Sequence, residues 1–288
     1  AYQTAFLKKY WPLEFMAVLL DADQNDIDRI SFLVGECKQM GISILAPNIN
    51  ESWKNFAALK EKQAISFGLM AVKNVGENVT EAIIKEREEN GLYKDFTDFI
   101  DSVNDKDLNK KSLESLIKVG AFDMFEERNK LLSNIENILN YIKAAKKSEN
   151  NNQQSLFGGS ESSYKSKALY LEKAEPISKK ESLAWEKELL GFYVSGHPLD
   201  TVKEKLNGST TVIKDLDNAQ ITRDYIVAGL IKSIKKIVTK KGDPMVFAQL
   251  EDFTGSIEII VFPRTLNSYL DLVQEGKIVA IRGKISFR

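Results

Sequence analysis

The spacing of hydrophobic positions changes along the chain from a helical to a strand-like period. Through residue 142 apolar side chains recur every three or four positions, which is typical of amphipathic helices. This spacing predicts helices over Tyr2–Tyr10, from Pro12 onward, from a cap at Asn25 or Asp26 to Gly41, and over residues 126–142 as one helix. Short strands are expected around Ile42 and Ile44 and over 64–69.

From about residue 222 the period becomes two. Four strands are predicted, over Tyr225–Val238, Met245–Glu251, Ser256–Phe262 and Lys277–Phe287, with a short helix after Pro263. This order matches a five-stranded OB barrel that lacks its last strand. The predicted fold is therefore multi-domain, α then β: a helical region, a disordered linker, and a truncated OB-type β-barrel.

The linker is predicted from composition. Residues 146–167 consist largely of Ser, Asn, Gln, Gly and Lys, and such a segment buries too little apolar surface to fold alone. Pro176 ends it, and Ser178 with Glu181 forms a capping box that opens the next helix.

Composition narrows the class of protein. The 288 residues carry 40 Lys+Arg against 41 Asp+Glu, a net charge of -1, which excludes a uniformly basic coat for nucleic acid. A single Cys and a single His exclude a disulfide framework and zinc fingers. No apolar run approaches the roughly 20 residues that cross a bilayer, so we expect a cytoplasmic protein without membrane contact. Ala1 and Arg288 both fall inside predicted elements, which indicates a segment of a longer protein.

The strongest motif is a helix-hairpin-helix pattern over residues 69–76, followed by apolar residues at 82–84. Such a hairpin aims peptide N–H groups and a helix N-terminus at a phosphate, so it binds the DNA backbone without reading bases. The predicted contacts are Lys73, Asn74, Val75 and Gly76. Residues 66–125 hold eight basic and twelve acidic side chains, however, so a role as a packing unit stays open. Residues 113–122 form a weaker half-match to the same pattern.

A second motif lies inside the polar linker. It comprises Gln153, Gln154, Ser155, Leu156 and Phe157. A Leu-Phe pair surrounded by polar residues has no local core to enter, so it is typical of a docking peptide. The alternatives are chance and a local tuck against a neighbouring helix.

The third signal lies in the predicted barrel. The first strand and its hairpin carry a lysine cluster without acidic residues: Lys232, Lys235, Lys236, Lys240 and Lys241. Phe247 alternates with Val246, Ala248 and Leu250, which places it on the outer face if those three fill the core. Lysines beside an exposed ring favour single-stranded nucleic acid, whereas the alternative is a solvated edge strand.

No complete active site is predicted, and neither catalytic nor metal-binding residues are assigned. Asp21 with Asp23 and Asp105 with Asp107 lie in helix connections, where carboxylates usually cap helices. His197 lies in a Gly-His-Pro turn with no Cys nucleophile nearby in sequence, which favours a turn-stabilising role.

Several blocks together resemble the replicative DNA polymerase III alpha subunit family of bacteria. They are Ala1–Lys8, Tyr10–Ala17, Phe67–Glu77, Leu116–Asp123 and Glu188–Asp200. The resemblance implies that the peptide at 153–157 binds the sliding clamp and that the barrel handles single-stranded template. It also implies that Mg²⁺-binding catalytic aspartates precede Ala1, and that a region contacting the clamp loader follows Arg288. The chain itself is then expected to bind no cofactor.

The resemblance also names the predicted segments: 1–65, the end of the fingers; 66–145, the helix-hairpin-helix domain; 146–177, the linker with the clamp peptide; 178–221, a helical connector; and 222–288, the partial OB fold. A self-contained, non-catalytic DNA-binding scaffold of repair or recombination is the alternative interpretation. The predicted open termini and the incomplete barrel argue against it.

Overall fold

The computed structural model describes residues 2–103, 108–152, 169–202, 210–218, 223–239 and 242–286. They divide into two compact units, Ala1–Ser195 and Gly196–Arg288. The predicted order of a helical region followed by a region of strands is confirmed.

The first unit begins with three helices where the sequence predicts them. They are α1 (Tyr2–Tyr10), α2 (Pro12–Ala22) and α3 (Ile27–Gln39). Pro12 occupies the first turn of α2, where its missing N–H is not needed. The Asp26 side chain accepts a hydrogen bond from the Arg29 N–H and caps α3. Of the two predicted caps, Asp26 is therefore the correct one.

A small sheet follows these helices. Its strands are β1 (Ser43–Leu45), β2 (Ala57–Leu59) and β3 (Ala64–Ser66), in the order β1-β3-β2. β1 runs parallel to β3, and β2 antiparallel. β2 was not predicted, because three residues are too few to show a period.

Six further helices lie among the described residues of the first unit. They are α4 (Glu77–Asn90), α5 (Phe96–Ser102), α6 (Lys110–Lys118), α7 (Arg128–Ser133), α8 (Ile135–Asn152) and α9 (Lys179–Leu190). One hydrophobic core, running from Leu13 to Phe192, joins the sheet and these helices. The predicted capping box of Ser178 and Glu181 is present at the start of α9.

The single helix predicted over residues 126–142 is wrong, because the helix is interrupted at Asn134. This side chain is almost fully buried and donates hydrogen bonds to the carbonyls of Lys130 (2.8 Å) and Glu172 (2.9 Å). Its oxygen also accepts a bond from the Glu172 N–H at 2.9 Å. The periodicity of apolar residues continues across the break, so the sequence does not reveal it.

Residues 169–177 lie against α7. The Ile177 N–H donates to the Glu127 carboxylate, and Asn129 donates to the Glu175 carbonyl. Leu169 and Leu171 pack on the core. These residues form the end of the segment assigned to the linker, whereas residues 153–168 lie outside the described residues.

The second unit contains an antiparallel sheet in the order β6-β5-β4-β7. Its elements are β4 (Asp224–Val238), β5 (Pro244–Glu251), β6 (Ser256–Val261), α10 (Pro263–Ser268) and β7 (Ile278–Lys284). Residues 224–230 of β4 pair with β7, and residues 230–238 pair with β5. A strand that pairs with one neighbour along its first half and with another along its second half must curl, as the first strand of an OB barrel does.

Two features allow this curl. The register between β4 and β5 shifts between Ile231 and Ser233, as at a β-bulge, which bends a strand. Gly229 lies so close to β5 that a Cβ there would stand 2.7 Å from the Glu251 carbonyl oxygen. The concave side is filled by Ile231, Val246, Ala248 and Leu250.

Candidate nucleic-acid interface

The predicted hairpin at residues 72–76 has the backbone that the motif requires. Asn74, which replaces the usual first glycine, has φ of 70°, in the left-handed region. Gly76 then caps the N-terminus of α4. Val72 and Val75 are buried in the core, whereas Lys73, Asn74 and Gly76 are exposed. The surface of the hairpin therefore consists of three of the four predicted residues.

Part of the hairpin's hydrogen-bonding capacity is used inside the protein. The Lys73 N–H donates to the Leu189 carbonyl at the end of α9 (3.1 Å), and the Val75 N–H donates to Val72 (3.0 Å). The Asn74 side chain donates to the Ser115 hydroxyl of α6 at 3.0 Å. The peptide N–H groups of Lys73 and Val75 are thus already hydrogen-bonded inside the protein. A phosphate that binds this hairpin therefore contacts the Lys73 side chain and the backbone at the start of α4.

One face of α4, which includes its first residue, is acidic. Glu77 and Glu81 share the Lys54 ammonium, with N–O distances of 2.5 and 2.6 Å. These hydrogen bonds raise the pKa of Lys54. Lys54 therefore stays charged, but its single positive charge is more than balanced by the two carboxylates, and Glu88 adds a further negative charge along the helix. A phosphate backbone is therefore disfavoured along this face of α4 and favoured beside the Lys73 ammonium.

The second half-match, at residues 113–122, faces inward. Gly120 has φ of 83°, and a Cβ there would clash with the Arg128 guanidinium. The Ala121 carbonyl accepts the Ile49 N–H at 3.0 Å. Other residues of the same chain contact this turn, so it packs against the protein interior and does not present hydrogen-bond donors to solvent.

Arg128 behind this turn was not found by sequence reasoning. Its guanidinium binds Asp123 through three contacts of 2.7–3.1 Å and donates to the Lys118 carbonyl at 3.0 Å. It also lies 3.3 Å from the Glu186 carboxylate, which is 1% exposed. Burial lowers the pKa of Arg128, but the two carboxylates more than offset that effect. These partners are distant in sequence, so no local pattern could have linked them.

The predicted barrel site is brought together only in part. Lys235 pairs directly with Phe247, which in turn pairs with Ile260, so the three side chains form a row on one face. Phe247 is half-buried on the face opposite Val246 and Ala248, as predicted from the alternation. Lys236 pairs with Val246 and so belongs to the other face.

Lys232 is engaged with a carboxylate instead of pairing with Phe247. Lys232 lies 3.4 Å from the Glu251 carboxylate. Burial raises the pKa of Glu251, but the nearby His197 and Lys232 side chains have the larger effect and hold the pKa below its usual value. Lys240 and Lys241 lie outside the described residues. Among the predicted lysines that the structure describes, Lys235 is therefore the one paired directly with Phe247.

The remaining sequence candidates supply no catalytic arrangement. Asp23 binds Arg29 at 2.9 Å, and His197 accepts the Leu199 N–H at Nδ1, which stabilises the turn. Among the described residues, no group of three His, Cys, Asp or Glu side chains could hold a metal ion. Asp105, Asp107 and the docking peptide Gln153–Phe157 lie outside them.

The same part of the chain contains no helix that is both long and apolar enough to span a membrane.

Comparison with known proteins gives two family matches. Residues 41–132 match the model of a helix-hairpin-helix motif, and residues 225–288 match that of an OB-fold nucleic acid binding domain. The first match begins just before β1, so it includes the small sheet as well as the hairpin.

Individual relatives match along essentially the whole chain. The DNA polymerase III subunit alpha of Borreliella burgdorferi is 40% identical over 294 residues, which cover 100% of this chain and 25% of the relative. That of Mycobacterium tuberculosis H37Rv is 36% identical over 302 residues, with coverages of 100% and 25%. That of Aquifex aeolicus is 34% identical over 284 residues, with coverages of 98% and 23%. The chain thus spans about a quarter of the length of these relatives.

Proposed function

We propose that this chain, which is homologous along its length to a segment of bacterial DNA polymerase III subunit alpha, holds DNA during replication while nucleotidyl transfer takes place elsewhere in the parent protein. The observation that carries the proposal is the presence, in one chain, of a helix-hairpin-helix unit and an OB-type unit. Both folds bind nucleic acid chiefly through its backbone and its stacked bases.

The two units have different ligands in this proposal. The hairpin, with Lys73 exposed and α4 beginning at Glu77, binds the phosphates of duplex DNA. The row of Lys235 and Phe247 binds single-stranded template, because a lysine beside a half-buried ring offers one phosphate contact and one stacking surface. Neither contact reads the base sequence, as a replicative enzyme requires.

The peptide Gln153–Phe157 binds the ring-shaped sliding clamp in this proposal. Its support is the sequence alone: a Leu-Phe anchor and two glutamines within a polar segment. Attachment to a clamp adds a second, tethered binding event and raises the effective concentration of the polymerase at the primer end. Contact with the clamp loader is proposed for the parent protein and is not assigned to this chain.

The parent's Mg²⁺-dependent step is not assigned to this chain. Asp21 and Asp23 do not fit a metal pair, because the Asp23 carboxylate is bound to Arg29. No step of the proposal passes through a metal here.

The test is DNA binding by the 288-residue chain over a series of salt concentrations. We expect affinity for duplex and for single-stranded DNA to fall steeply as salt rises, because neutralised phosphates release counterions. Fluorescence anisotropy with labelled oligonucleotides measures both. Affinity that does not change with salt, or no binding to either ligand, contradicts the proposal.

A further inference from the structure

The face of α6 nearest the hairpin carries a stripe of lysines. Lys111, Ser115 and Lys118 follow one another at spacings of four and three residues, so they lie on one face of the helix. Ser115, in the middle, is buried and accepts the hydrogen bond from Asn74 at 3.0 Å. The hairpin therefore lies over the centre of the stripe, with one lysine about a turn away on each side.

A second set of contacts connects Lys118 to the hairpin from the other direction. The Lys118 ammonium lies 5.7 Å from the centroid of the Trp185 ring on α9. One turn further along α9, the Leu189 carbonyl accepts the Lys73 N–H at 3.1 Å. The hairpin, α6 and α9 thus border one surface, to which Lys73 and Lys118 both belong.

These lysines differ from their neighbours in their partners. Lys110, adjacent in sequence, is paired with Glu136 and Glu114, and Lys54 is paired with Glu77 and Glu81. Within the part of the chain that the structure describes, no carboxylate lies within 4.0 Å of the ammonium of the stripe lysines or of Lys73. Their positive charge is therefore available to an external anion.

The spacing suits a polyanion rather than a single ion. Lys111 and Lys118 are seven residues apart, which corresponds to roughly 10 Å along the helix. Successive phosphates of one DNA strand advance by about 3.4 Å along the duplex axis, so the stripe covers more than one phosphate. The Glu77 and Glu81 side of α4 repels the same ligand.

We propose that Lys111 and Lys118, the latter supported by the Trp185 ring, extend the hairpin's contact with DNA, so that a phosphodiester backbone runs along α6. The inference rests on the proposed function of the hairpin. It adds to the hairpin a binding surface on α6, which sets the path that the bound DNA strand follows across the first unit.

The experiment titrates the 288-residue chain with a short blunt-ended duplex DNA at several salt concentrations. The variants are Lys111→Ala, Lys118→Ala and, as the matched control, Lys110→Ala, which removes the same charge from the same helix. For each stripe variant we expect the slope of log K against log salt to become less negative by about 0.9, the value for one lost phosphate contact on B-DNA. The slope of Lys110→Ala stays that of the unmodified chain.

A further variant separates charge from packing. Lys118→Arg keeps the cation over Trp185 and is expected to keep the salt slope. Lys118→Ala is expected to keep the cooperative unfolding transition that tryptophan fluorescence reports. If Lys118→Ala unfolds the unit, Lys111→Ala, which has no ring contact in the structure, still tests the stripe.

The results distinguish failure of this inference from failure of the proposed DNA binding by the hairpin. If the unmodified chain binds the duplex in a salt-dependent manner but both stripe variants keep its slope, the inference is overturned and the proposed function survives. An equal change in all three alanine variants also overturns it, because net charge alone would then explain the effect. If the unmodified chain does not bind the duplex, both this inference and the proposed duplex binding by the hairpin are overturned, whereas binding of single-stranded DNA by the second unit is tested separately.

Discussion

Arg128 and Glu186, 58 positions apart in sequence, form an ion pair in the interior of the first unit, with 3.3 Å between Nη1 and Oε1. The other carboxylate oxygen of Glu186 accepts the backbone N–H groups of Val194 and Ser195, at 2.8 and 2.9 Å. One buried carboxylate thereby fixes α7, α9 and the loop that follows α9. The same helix end holds the Lys73 N–H of the hairpin.

Replacement of Glu186 by Ala is expected to destabilise the first unit by about 3–5 kcal/mol, because it leaves the Arg128 cation buried with one partner fewer. The three tryptophans, Trp11, Trp53 and Trp185, all lie in this unit, so urea unfolding followed by tryptophan fluorescence reports it selectively. Glu188→Ala, at an exposed position of the same helix, is the control and should change stability by less than about 0.5 kcal/mol. Equal effects of the two substitutions would show that the ion pair is unimportant.

The left-handed backbone at Asn74 gives a second prediction. Asn74→Gly and Asn74→Ala both lose the hydrogen bond to Ser115, so the difference between them isolates the backbone. Alanine at φ of 70° strains the folded backbone, which glycine does not. Glycine, however, makes the unfolded chain more flexible, and this destabilises the glycine variant and offsets part of the difference. We expect the alanine variant to be the less stable of the two by about 0.5–1 kcal/mol, measured by the same fluorescence method. A glycine variant that is equal or less stable contradicts this account.

The sequence predicts the parts of the hairpin that depend on neighbouring residues, and it misses the parts that depend on distant ones. The left-handed Asn74 and the capped start of α4 follow from residues 69–77 alone. The bonds from Lys73 to Leu189 and from Asn74 to Ser115 arise from packing and have no local signature. For this reason the sequence assigned contact to the whole hairpin, although Val75 is buried.

The barrel shows the same limit. Alternation placed Phe247 on the outer face, and the structure agrees. The lysine cluster was predicted from composition, which does not show that Lys235 and Lys236 lie on opposite faces of the sheet. The face of each lysine depends on the register between β4 and β5 and on the shift between Ile231 and Ser233. The break at Asn134 was hidden for a similar reason, since its cause is a bond to Glu172.

Cys37 should be unreactive in the folded chain. Burial, with a smaller effect of Glu36, raises the pKa of this thiol to about 11 from an ordinary value of 9.0. Since the thiolate is the nucleophile, modification by a maleimide or by Ellman's reagent near pH 8 should be slow until denaturant is added. Rapid reaction under native conditions would show that the core of α3 opens readily.

The same pKa shift predicts a pH dependence of stability. Because the folded pKa of Cys37 lies above the unfolded value, the folded state retains the proton longer. The contribution of Cys37 is therefore fully present below pH 9 and is lost as the pH rises towards about 11. Cys37→Ala should be less stable below pH 9, and its deficit should shrink over this interval. A deficit that is constant with pH argues against the shift.

Binding of the sliding clamp is tested through the linker peptide. Leu156→Ala combined with Phe157→Ala should weaken binding strongly, because one buried anchor pair usually supplies most of the energy of a small interface. Titration of the chain with purified clamp in a calorimeter measures the effect. Ser162→Ala with Ser163→Ala, in the same polar segment, is the control. If the two double variants bind the clamp equally well, the peptide is not the attachment site.

Phe247→Ala should reduce affinity for single-stranded DNA by about 1–3 kcal/mol, the usual value of one base–aromatic stack. The ring lies in register between Lys235 and Ile260 on the outer face, so its loss removes a stacking surface but leaves the core residues Val246 and Ala248 in place. Phe262→Ala is the matched control, because that ring is more exposed but lies at the start of α10, away from the row. Anisotropy titrations with a labelled oligothymidylate measure both variants. If Phe262→Ala has the larger effect, the single strand follows α10 instead of the face of β5 that carries Phe247.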